Sequence, residues 1–387
     1  MLRDKYVFAQ LVSFLDRNKF NYIVRKYEGD KYVKHFTCWN QLLALIFGQL
    51  SNRESLRDLI VALDAHHSKC YHLGMGRNVS KSSLSRANQD RDYHIFEEFA
   101  YYLVNEARLK RVNRIFKLEG NVYAFDSTTI DLCLSVFWWA KFRKKKGGIK
   151  VHTLYDVETQ IPAFFHITHV SIHDSKVMKY ISYESGSYYI FDRAYNNFKM
   201  LYKIHLIGAY FVVRAKKNMQ CKTIKWKRRL PKNVLSDMVV ELTGFYAKQY
   251  YQTTLRLVKY WDEEQNREFT FITNAMHISA LQVADLYKNR WQVELFFKWL
   301  KQHLRIKKFG GTSENAVRIQ IYTAISTYCL VAIVQHDMQL DRSTYEVLQI
   351  LSISLTDKTH LKDLFDKTKF QNDKELFGSN EPSLFNF

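Results

Sequence analysis

The sequence feature that most constrains the fold is the stretch from Leu286 to Leu304, which contains neither proline nor glycine. Its pattern predicts one amphipathic helix. Four residues fall within roughly 60° of one another on one stripe of this helix: Tyr287, Arg290, Glu294 and Lys301. A neighbouring apolar stripe can face a core: Leu286, Val293, Phe296, Phe297, Leu300 and Leu304. A phosphodiester running along the helix could meet the charges of Arg290, Glu294 and Lys301. The alternative is a solvated charged stripe beside a core stripe.

Length and charge indicate a multidomain protein with a polyanionic partner. The 387 residues are enough for two or three domains, and 47% of them are hydrophobic, as in globular chains. The formal net charge is +20. A surplus of this size must form basic surface patches, which most often bind nucleic acid. A basic protein without such a role is the alternative.

The cysteines and apolar runs bear on the compartment. Five cysteines stand at irregular spacing without a C-x-x-C pair, which favours reduced thiols and argues against a zinc site. The first residues lack a signal-peptide pattern. The apolar run near Ala324 to Val334 is too short to span a bilayer, so we interpret it as a buried helix. We expect a cytoplasmic protein without a membrane partner.

Residues 1 to about 115 have the apolar spacing of helices throughout. Within them, a Gly-containing turn is followed by a polar helix near Ser80 to Asn88. This helix has Lys81, Ser83 and Arg86, side chains of the kind that contact a major groove in a helix-turn-helix. A polar surface helix in a bundle explains the same pattern equally well.

After about residue 121 the pattern changes to short apolar strands. V-Y-A-F-D ends on Asp126, and S-Y-Y-I-F-D ends on Asp192, so each strand delivers a carboxylate at its C-terminal edge. Strand patterns at 149–155 and 161–170 follow the first without an evident helix, which indicates an antiparallel meander. The whole order, three strands, helix, strand, helix, strand, is that of a ribonuclease H-like domain. In that fold the first and fourth strands are neighbours.

A β-rich segment then separates the fifth strand from the Glu294 helix. We therefore expect an α/β ribonuclease H-like core, a mixed five-stranded sheet with flanking helices, that carries an inserted β-rich subdomain and follows an all-α N-terminal DNA-binding domain. The predicted divisions are 1–115 for the N-terminal domain, 116–216 and 278–355 for the two parts of the core, 217–277 for the insertion and 356–387 for a C-terminal tail.

Three carboxylates, two from adjacent strand ends and one from a helix, can hold two divalent cations about 3.5–4 Å apart for an in-line displacement at phosphorus. All-oxygen ligation suits Mg²⁺, with Mn²⁺ as a substitute. Each of Asp126 and Asp192 could instead cap a turn. Other acids compete for the role: Asp131, Asp156, Glu158 and Asp174. Asp156 and Glu158 flank a hairpin turn, where solvated acids are common, and Asp174 resembles a helix N-cap.

The spacing Y-(2)-R-(3)-E-(6)-K from Tyr287 to Lys301, with the F-D-S-T-T and I-F-D-R-A-Y blocks, resembles the YREK-signature group of DDE-type bacterial insertion-sequence transposases. The resemblance covers nearly the whole chain. It implies Asp126, Asp192 and Glu294 as catalytic metal ligands. It also implies phosphate contacts by Arg290 and Lys301, and a contact to DNA near the cleaved end by Tyr287. One departure is Ala194, where relatives often have glycine.

The resemblance further implies cut-and-paste transposition through a hairpin at the transposon end, with a flipped base stacked on an aromatic ring. Trp291, Trp226 and Trp261 are candidates for that ring, although each could simply pack in a core. The implied partners are terminal inverted repeats, target DNA and a second protomer in a homodimer, and the implied location is the bacterial nucleoid. A nuclease without strand transfer and a catalytically silent DNA-binding regulator are the alternative functions.

Overall fold

The computed structural model describes residues 5–53, 55–76, 79–111, 116, 118–132, 137–143, 146–304, 311–342 and 344–366. The side chain of Leu304 and most of the predicted tail lie outside the described residues. The chain divides into two compact units, one of residues 1–110 with 303–387 and one of residues 111–302. This division passes through the predicted segment 278–355. The predicted division into five segments stays a prediction.

The described residues contain thirteen α-helices. In chain order they are α1 Val7–Val12, α2 Arg17–Lys26, α3 Cys38–Leu50, α4 Leu56–Ala65, α5 Lys81–Asp90, α6 His94–Lys110, α7 Phe198–Leu206, α8 Phe245–Tyr250, α9 Ala280–Lys288, α10 Trp291–Leu304, α11 Glu314–Asp337, α12 Thr344–Ser354 and α13 Leu361–Phe365. The strands are β1 Val122–Leu132, β2 Lys141–Arg143, β3 Lys146–Asp156, β4 Ile161–His169, β5 Tyr188–Phe191, β6 Tyr210–Arg214, β7 Cys221–Trp226, β8 Val234–Leu242, β9 Leu255–Asp262 and β10 Arg267–Thr273.

The described residues of the first unit form helices joined by turns and loops, with no strand among them. Polar side chains cap its helices: Asp16, Thr37, Ser55 and Ser80 each accept a hydrogen bond from the backbone N–H three residues later. Helices α3 and α11 are buried along almost their whole length, and α6 packs against α11. The predicted polar helix is present as α5.

The apolar run Ala324 to Val334 lies inside helix α11, and the interpretation of this run as a buried helix is confirmed. Among the described residues α11 is the one helix long and apolar enough to cross a bilayer, since it has 24 residues and a mean hydropathy of 1.5 in its most apolar window. However, 89% of that window is buried inside the fold. The apolar surface of α11 is therefore covered by its own unit, as in a core helix.

The second unit contains one mixed sheet of ten strands. Its order is β2-β3-β1-β5-β6-β10-β9-β8-β7, and β4 also pairs with β3. Strand β5 is parallel to both β1 and β6, while the other pairings are antiparallel. All four residues of β5 are buried, as is typical of a strand covered on both faces.

The prediction that the first and fourth core strands are neighbours is confirmed by the pairing of β1 with β5. The antiparallel meander is also present, as β1, β3 and β4. The helix expected between the third and fourth core strands is a seven-residue 3₁₀ helix, Asp174–Tyr180. The mixed sheet with its helices is consistent with a ribonuclease H-like core.

The β-rich segment does not form a sheet of its own. Strand β10 pairs with β6, so β7 to β10 continue the sheet of the core. A buried ion pair stabilises this part: Arg256 on β9 donates to Asp237 on β8 at 2.7 and 2.8 Å, and to the backbone carbonyl oxygen of Ile278. That the segment is an insertion stays a prediction.

Candidate active site

Two aspartates stand at the same place in the sheet. The parallel register of β1 and β5 ends with the pair Phe125 and Phe191, and Asp126 and Asp192 are the next residues. The prediction that Asp126 ends its strand is wrong, because β1 continues to Leu132 through its pairing with β3. The C-terminal edge of β5 therefore lies beside the middle of β1.

The predicted single helix over residues 286–304 is wrong as well, because α9 ends at Lys288 and α10 begins at Trp291. The Asn289 side chain donates to the carbonyl oxygen of Asp285 at 2.9 Å, a local bond that competes with helix continuation. The backbone N–H groups of Arg290 and Val293 bond three residues back, as in a tightened turn. Arg290 thus lies in a turn between two helices.

From this turn, the guanidinium of Arg290 bridges two of the predicted acids. Its Nη1 donates to Asp126 Oδ2 at 2.5 Å, and its Nη2 donates to Glu294 Oε1 at 2.6 Å. The Tyr287 hydroxyl donates to Asp192 Oδ1 at 3.3 Å. One hydrogen-bonded neighbourhood therefore contains all three predicted carboxylates.

The other predicted residues of the two helices lie further out. Lys301 is exposed two turns beyond Glu294, and no described contact joins it to the acids. The predicted apolar stripe is buried at Leu286, Val293, Phe296, Phe297 and Leu300. The predicted amphipathic pattern is therefore confirmed for both helices, although the prediction that they form one continuous helix is wrong.

The electrostatics of this site are dominated by the burial of charge. Burial raises the pKa of Asp126 from its ordinary value of 3.8 to about 6, because the attraction of Arg290 only partly offsets it and the carboxylates of Asp192 and Glu294 add to it. Burial alone would lower the pKa of Arg290, but the nearby carboxylates outweigh burial, and that of Asp126 contributes most. The pKa of Arg290 is therefore raised. Asp126 is therefore a carboxylate whose negative charge is incompletely compensated.

The chemistry of these donors fits a divalent cation, although their spacing is not that of a preformed site. Carboxylate oxygens are the ligands that Mg²⁺ prefers, and an under-compensated buried carboxylate favours a cation. Yet within the described residues no three His, Cys, Asp or Glu side chains lie together at metal-ligand spacing. Arg290 gives a physical reason, because its guanidinium lies between Asp126 and Glu294. Metal ligation by the trio stays a prediction.

The sequence analysis named Asp174 as a rival acid but missed its contact with Ser127, the residue after Asp126. Asp174 accepts from the Ser127 hydroxyl at 2.9 Å and from Lys150 Nζ at 3.0 Å. It is not the N-cap of the following 3₁₀ helix, because the side chain of His173 accepts that bond. The signal in the sequence was Ser127, the residue after Asp126, but its partner is 47 positions away.

The remaining rival acids have structural roles or lie apart. Asp156 accepts from the backbone N–H groups of Glu158 and Thr159, so it shapes the β3–β4 turn. Both Asp156 and Glu158 are buried, contrary to the expectation of solvated acids. Asp131 is exposed on β1.

His152 on β3 is fully buried with its Nε2 2.8 Å from Thr168 Oγ1, and burial lowers its pKa to about 4.

A cavity of about 400 Å³ opens beside the acids. Asp192, Tyr287, Arg290 and Glu294 line it together with Trp291, whose ring is 49% exposed. Trp261 is 36% exposed on β9 and does not line the cavity, and Trp226 is 66% exposed on β7. Trp291 is thus the candidate tryptophan that shares a surface with the acidic residues.

In the helical unit, α5 exposes part of its polar face. Lys81, Ser83 and Arg86 are exposed, as a groove-contacting helix requires. Asn88 is buried, and its side chain accepts a hydrogen bond from Gln41 Nε2 at 2.7 Å. It is therefore not available for a contact with DNA. The role of the three exposed residues stays a prediction.

Comparison with known proteins identifies the family. Residues 117–330, more than half of the chain, match the family described as the transposase DDE domain. The chain belongs to the DDE transposases. The transposase is 32% identical over 278 residues to a Sinorhizobium fredii protein named as a transposase, a match that covers 70% of this chain and 75% of the relative. Residues 3–76 match a family described as a domain of unknown function.

Two further relatives are named for insertion sequences. The transposase is 28% identical over 253 residues to a Geobacillus stearothermophilus protein named as a transposase for the element IS5377, covering 65% of this chain and 66% of the relative. A Synechocystis protein named as a transposase for the element IS4SA is 25% identical over 296 residues, covering 73% and 80%. The predicted kinship with DDE-type insertion-sequence transposases is therefore confirmed. The transposase is a DNA-processing enzyme of a class that generally uses divalent metal ions.

Proposed function

We propose that this transposase excises and inserts an insertion sequence by a cut-and-paste route, with end cleavage, a hairpin intermediate and strand transfer. The observation that carries the proposal is the network around Arg290. It links a carboxylate of the sheet, Asp126, with a carboxylate of α10, Glu294, while Tyr287 on α9 contacts Asp192. Residues far apart in sequence thus meet in one acidic site, as the family's chemistry requires.

In this proposal Asp126, Asp192 and Glu294 hold two Mg²⁺ ions, for which Mn²⁺ can substitute. The bound ions would activate the attacking water or 3′-hydroxyl and stabilise the leaving oxygen. In this proposal Arg290 moves away from Asp126 when the ions bind, because a guanidinium and divalent cations at the same carboxylate repel one another. Its guanidinium is then available for a phosphate of the DNA, which it can contact with two parallel N–H groups.

The DNA end lies along the α9–α10 turn in this arrangement. Arg290 and the exposed Lys301 contact phosphates, and Tyr287 contacts the strand near the cleaved bond. Trp291, half-exposed in the same cavity, offers a ring for the flipped base of a hairpin, a contact worth about 1–3 kcal/mol. The Tyr287 hydroxyl also orients Asp192 through the bond already present.

Two basic surfaces support duplex binding. Helix α5 exposes Lys81, Ser83 and Arg86, and we assign it to the terminal inverted repeats. The segment from β7 onward exposes Lys222, Lys225, Arg228 and Arg229 around Trp226, and none of these four cations forms an ion pair with another described residue. Such cations release counterions when they contact phosphates, and we assign this segment to further contacts with element or target DNA.

The proposed working unit is a homodimer that bridges two element ends in the bacterial cytoplasm, on nucleoid DNA. Cutting and rejoining two ends requires two active sites to be held together. The dimer surface is left unassigned in this proposal.

The proposal is tested with purified protein, Mg²⁺ and a plasmid carrying matched inverted repeats. The wild type should release a linear element and insert it into a target plasmid. Glu294→Ala should abolish release and leave end binding intact. Glu264→Ala is the matched control, because Glu264 lines the same cavity as an exposed carboxylate paired with Lys288, and it should retain activity.

Three outcomes would contradict parts of the proposal. Cleavage by Glu294→Ala would mean that the acidic site is misassigned. Cleavage by the wild type without strand-transfer products would indicate a nuclease. Sequence-specific binding without any metal-dependent cleavage would indicate a DNA-binding regulator.

A further inference from the structure

A second cavity lies wholly within the helical unit, and no residue of α5 lines it. It has a volume of about 390 Å³ and is lined by residues of α1, the segment 71–74 and Lys358. We call it the Tyr6 pocket, after one of the rings that line it. Its size is within the range of about 300–1,000 Å³ that small-ligand sites occupy. The match to the transposase DDE domain, residues 117–330, does not include these residues, and the proposed roles of α5 and Arg290 do not involve them.

Positive charge converges on this pocket. Lys5 and Lys358 line the pocket, and Lys358 Nζ lies 5.5 Å from the centroid of the Tyr6 ring. Lys69 does not line the pocket, but its Nζ lies 5.6 Å from the same centroid. No ion pair with a described carboxylate neutralises any of these three lysines, although Asp357 is exposed next to Lys358. Ammonium groups that share one site repel one another unless an anion lies between them. The pocket therefore fits an anionic ligand.

The pocket also offers aromatic faces. The rings of Tyr6 and His72 have centroids 6.5 Å apart, and the rings of His72 and Tyr71 have centroids 5.7 Å apart. Tyr71 is 78% exposed, so its ring is open to a planar ligand. Phosphate-binding cations beside accessible aromatic rings are the combination that single-stranded nucleic acid uses for its backbone and bases.

The arrangement is fixed by a buried side chain and not by flexible lysines alone. Gln10 is fully buried, and its Nε2 donates to the carbonyl oxygens of Lys5 at 2.8 Å and Thr359 at 2.9 Å. Its Oε1 accepts from the backbone N–H of Leu361 at 3.1 Å. One glutamine thus holds the chain on both sides of the pocket, which places the backbones of Lys5 and Lys358 before any ligand binds.

We propose that the Tyr6 pocket binds one nucleotide of single-stranded DNA, with its phosphate on the lysines and its base on Tyr71 and His72. The inference rests on the proposed function in one respect, which is that this chain acts on DNA whose strands separate. A duplex keeps its bases stacked inside, so a base can reach Tyr71 only from an unpaired end or a displaced strand. A free nucleotide offers the same groups, a phosphate and a planar base joined through a sugar.

Photo-crosslinking locates the site directly. The full-length chain, in metal-free buffer, is irradiated with a single-stranded oligonucleotide containing 5-iodouracil. The expected result is a crosslink to the peptide that contains Tyr71 and His72, and its yield should not fall when free dAMP is added at the same nucleotide concentration. Equal competition by dAMP would overturn the strand assignment in favour of a free nucleotide. The absence of any crosslink to this peptide would overturn the site.

Substitutions separate the base contact from the phosphate contact. Tyr71→Ala should weaken binding of the oligonucleotide, measured by fluorescence anisotropy, by between about 5-fold and 150-fold. The same variant should bind an abasic oligonucleotide as well as the wild type does. Lys358→Ala should weaken binding of both oligonucleotides and reduce the slope of log K against log salt by about 0.7. Both side chains are exposed, so both variants should fold.

The chain provides a matched control elsewhere in the same unit. Tyr32 is 92% exposed, and Lys31 Nζ lies 5.8 Å from its ring centroid, but Lys31 is neutralised by Glu28 at 2.8 Å. Tyr32→Ala and Lys31→Ala should leave binding unchanged. Losses equal to those of the pocket variants would show that any exposed tyrosine and lysine suffice, and would overturn the proposal. Because no metal is used, a failure here is distinguishable from a failure of excision.

Discussion

Replacing Asp126 by asparagine should stabilise the metal-free protein while destroying its activity. Burial raises the pKa of this carboxyl from 3.8 to about 6, so the folded chain retains a proton over a pH range in which the unfolded chain has lost it. The free energy of unfolding therefore falls as the pH rises from about 4 to about 6, and stays lowered above that range. The full change corresponds to about 3 kcal/mol.

Asparagine has nearly the same shape and cannot ionise. Its amide oxygen can still accept the bond that Arg290 donates to Asp126, and Arg290 keeps its ion pair with Glu294. The side chain of Asp126 is 20% exposed, so little of the burial cost is relieved by water. We expect Asp126→Asn to raise the free energy of unfolding by up to about 3 kcal/mol at pH 8, and by nearly nothing at pH 4.

The assay is urea denaturation with a chelator present, at a series of pH values between 4 and 8. Glu264→Gln is the control, because the Glu264 side chain is 72% exposed, and its midpoint should follow that of the wild type. Added Mg²⁺ should then stabilise the wild type more than Asp126→Asn, by mass action on the folded state. An Asp126→Asn protein that is less stable at pH 8, or a gain that does not shrink toward pH 4, would refute the reasoning.

Three further substitutions test other parts of the fold and site. Asp237→Ala leaves the buried guanidinium of Arg256 without its carboxylate, and we expect it to lower the free energy of unfolding by about 3–5 kcal/mol in urea. Tyr287→Phe removes the hydroxyl that orients Asp192, which should slow excision by about 2- to 10-fold in a plasmid assay and leave end binding unchanged. Trp291→Ala should weaken binding of hairpin ends by about 1–3 kcal/mol in gel shifts, whereas Trp261→Ala, outside the cavity, should not.

The sequence was informative about the sheet because its central strands are defined by local pattern. The buried run Tyr188–Phe191 is apolar throughout, as a strand with two covered faces must be. Topological order then placed it beside the strand of Asp126. The continuation of β1 to Leu132 was missed because the second half of that strand depends on pairing with β3. Pairing with a distant strand cannot be detected from the local pattern of apolar residues.

The break between α9 and α10 shows a different limit. Residues 286–304 contain no helix breaker, so local propensity favours continuity. What ends α9 is a side-chain bond from Asn289 to the carbonyl oxygen of Asp285, and Arg290 gains a partner, Asp126, 164 positions earlier in the chain. A contact of that sequence separation cannot be found from helical periodicity. The missed bond between Ser127 and Asp174 has the same cause.

The charge of the cavity explains why the basic surplus of the chain has to act elsewhere. Among the described residues that line it, the acids are Asp192, Asp262, Glu263, Glu264, Asp285 and Glu294, and the bases are Arg214, Arg267, Lys288 and Arg290. A cavity with more acids than bases, in a chain of net charge +20, repels DNA phosphates unless cations are bound. In the proposed function, affinity for DNA comes from surfaces such as α5 and the β7 segment. It follows that salt should weaken DNA binding strongly without metal present, and that metal should change cleavage far more than it changes binding.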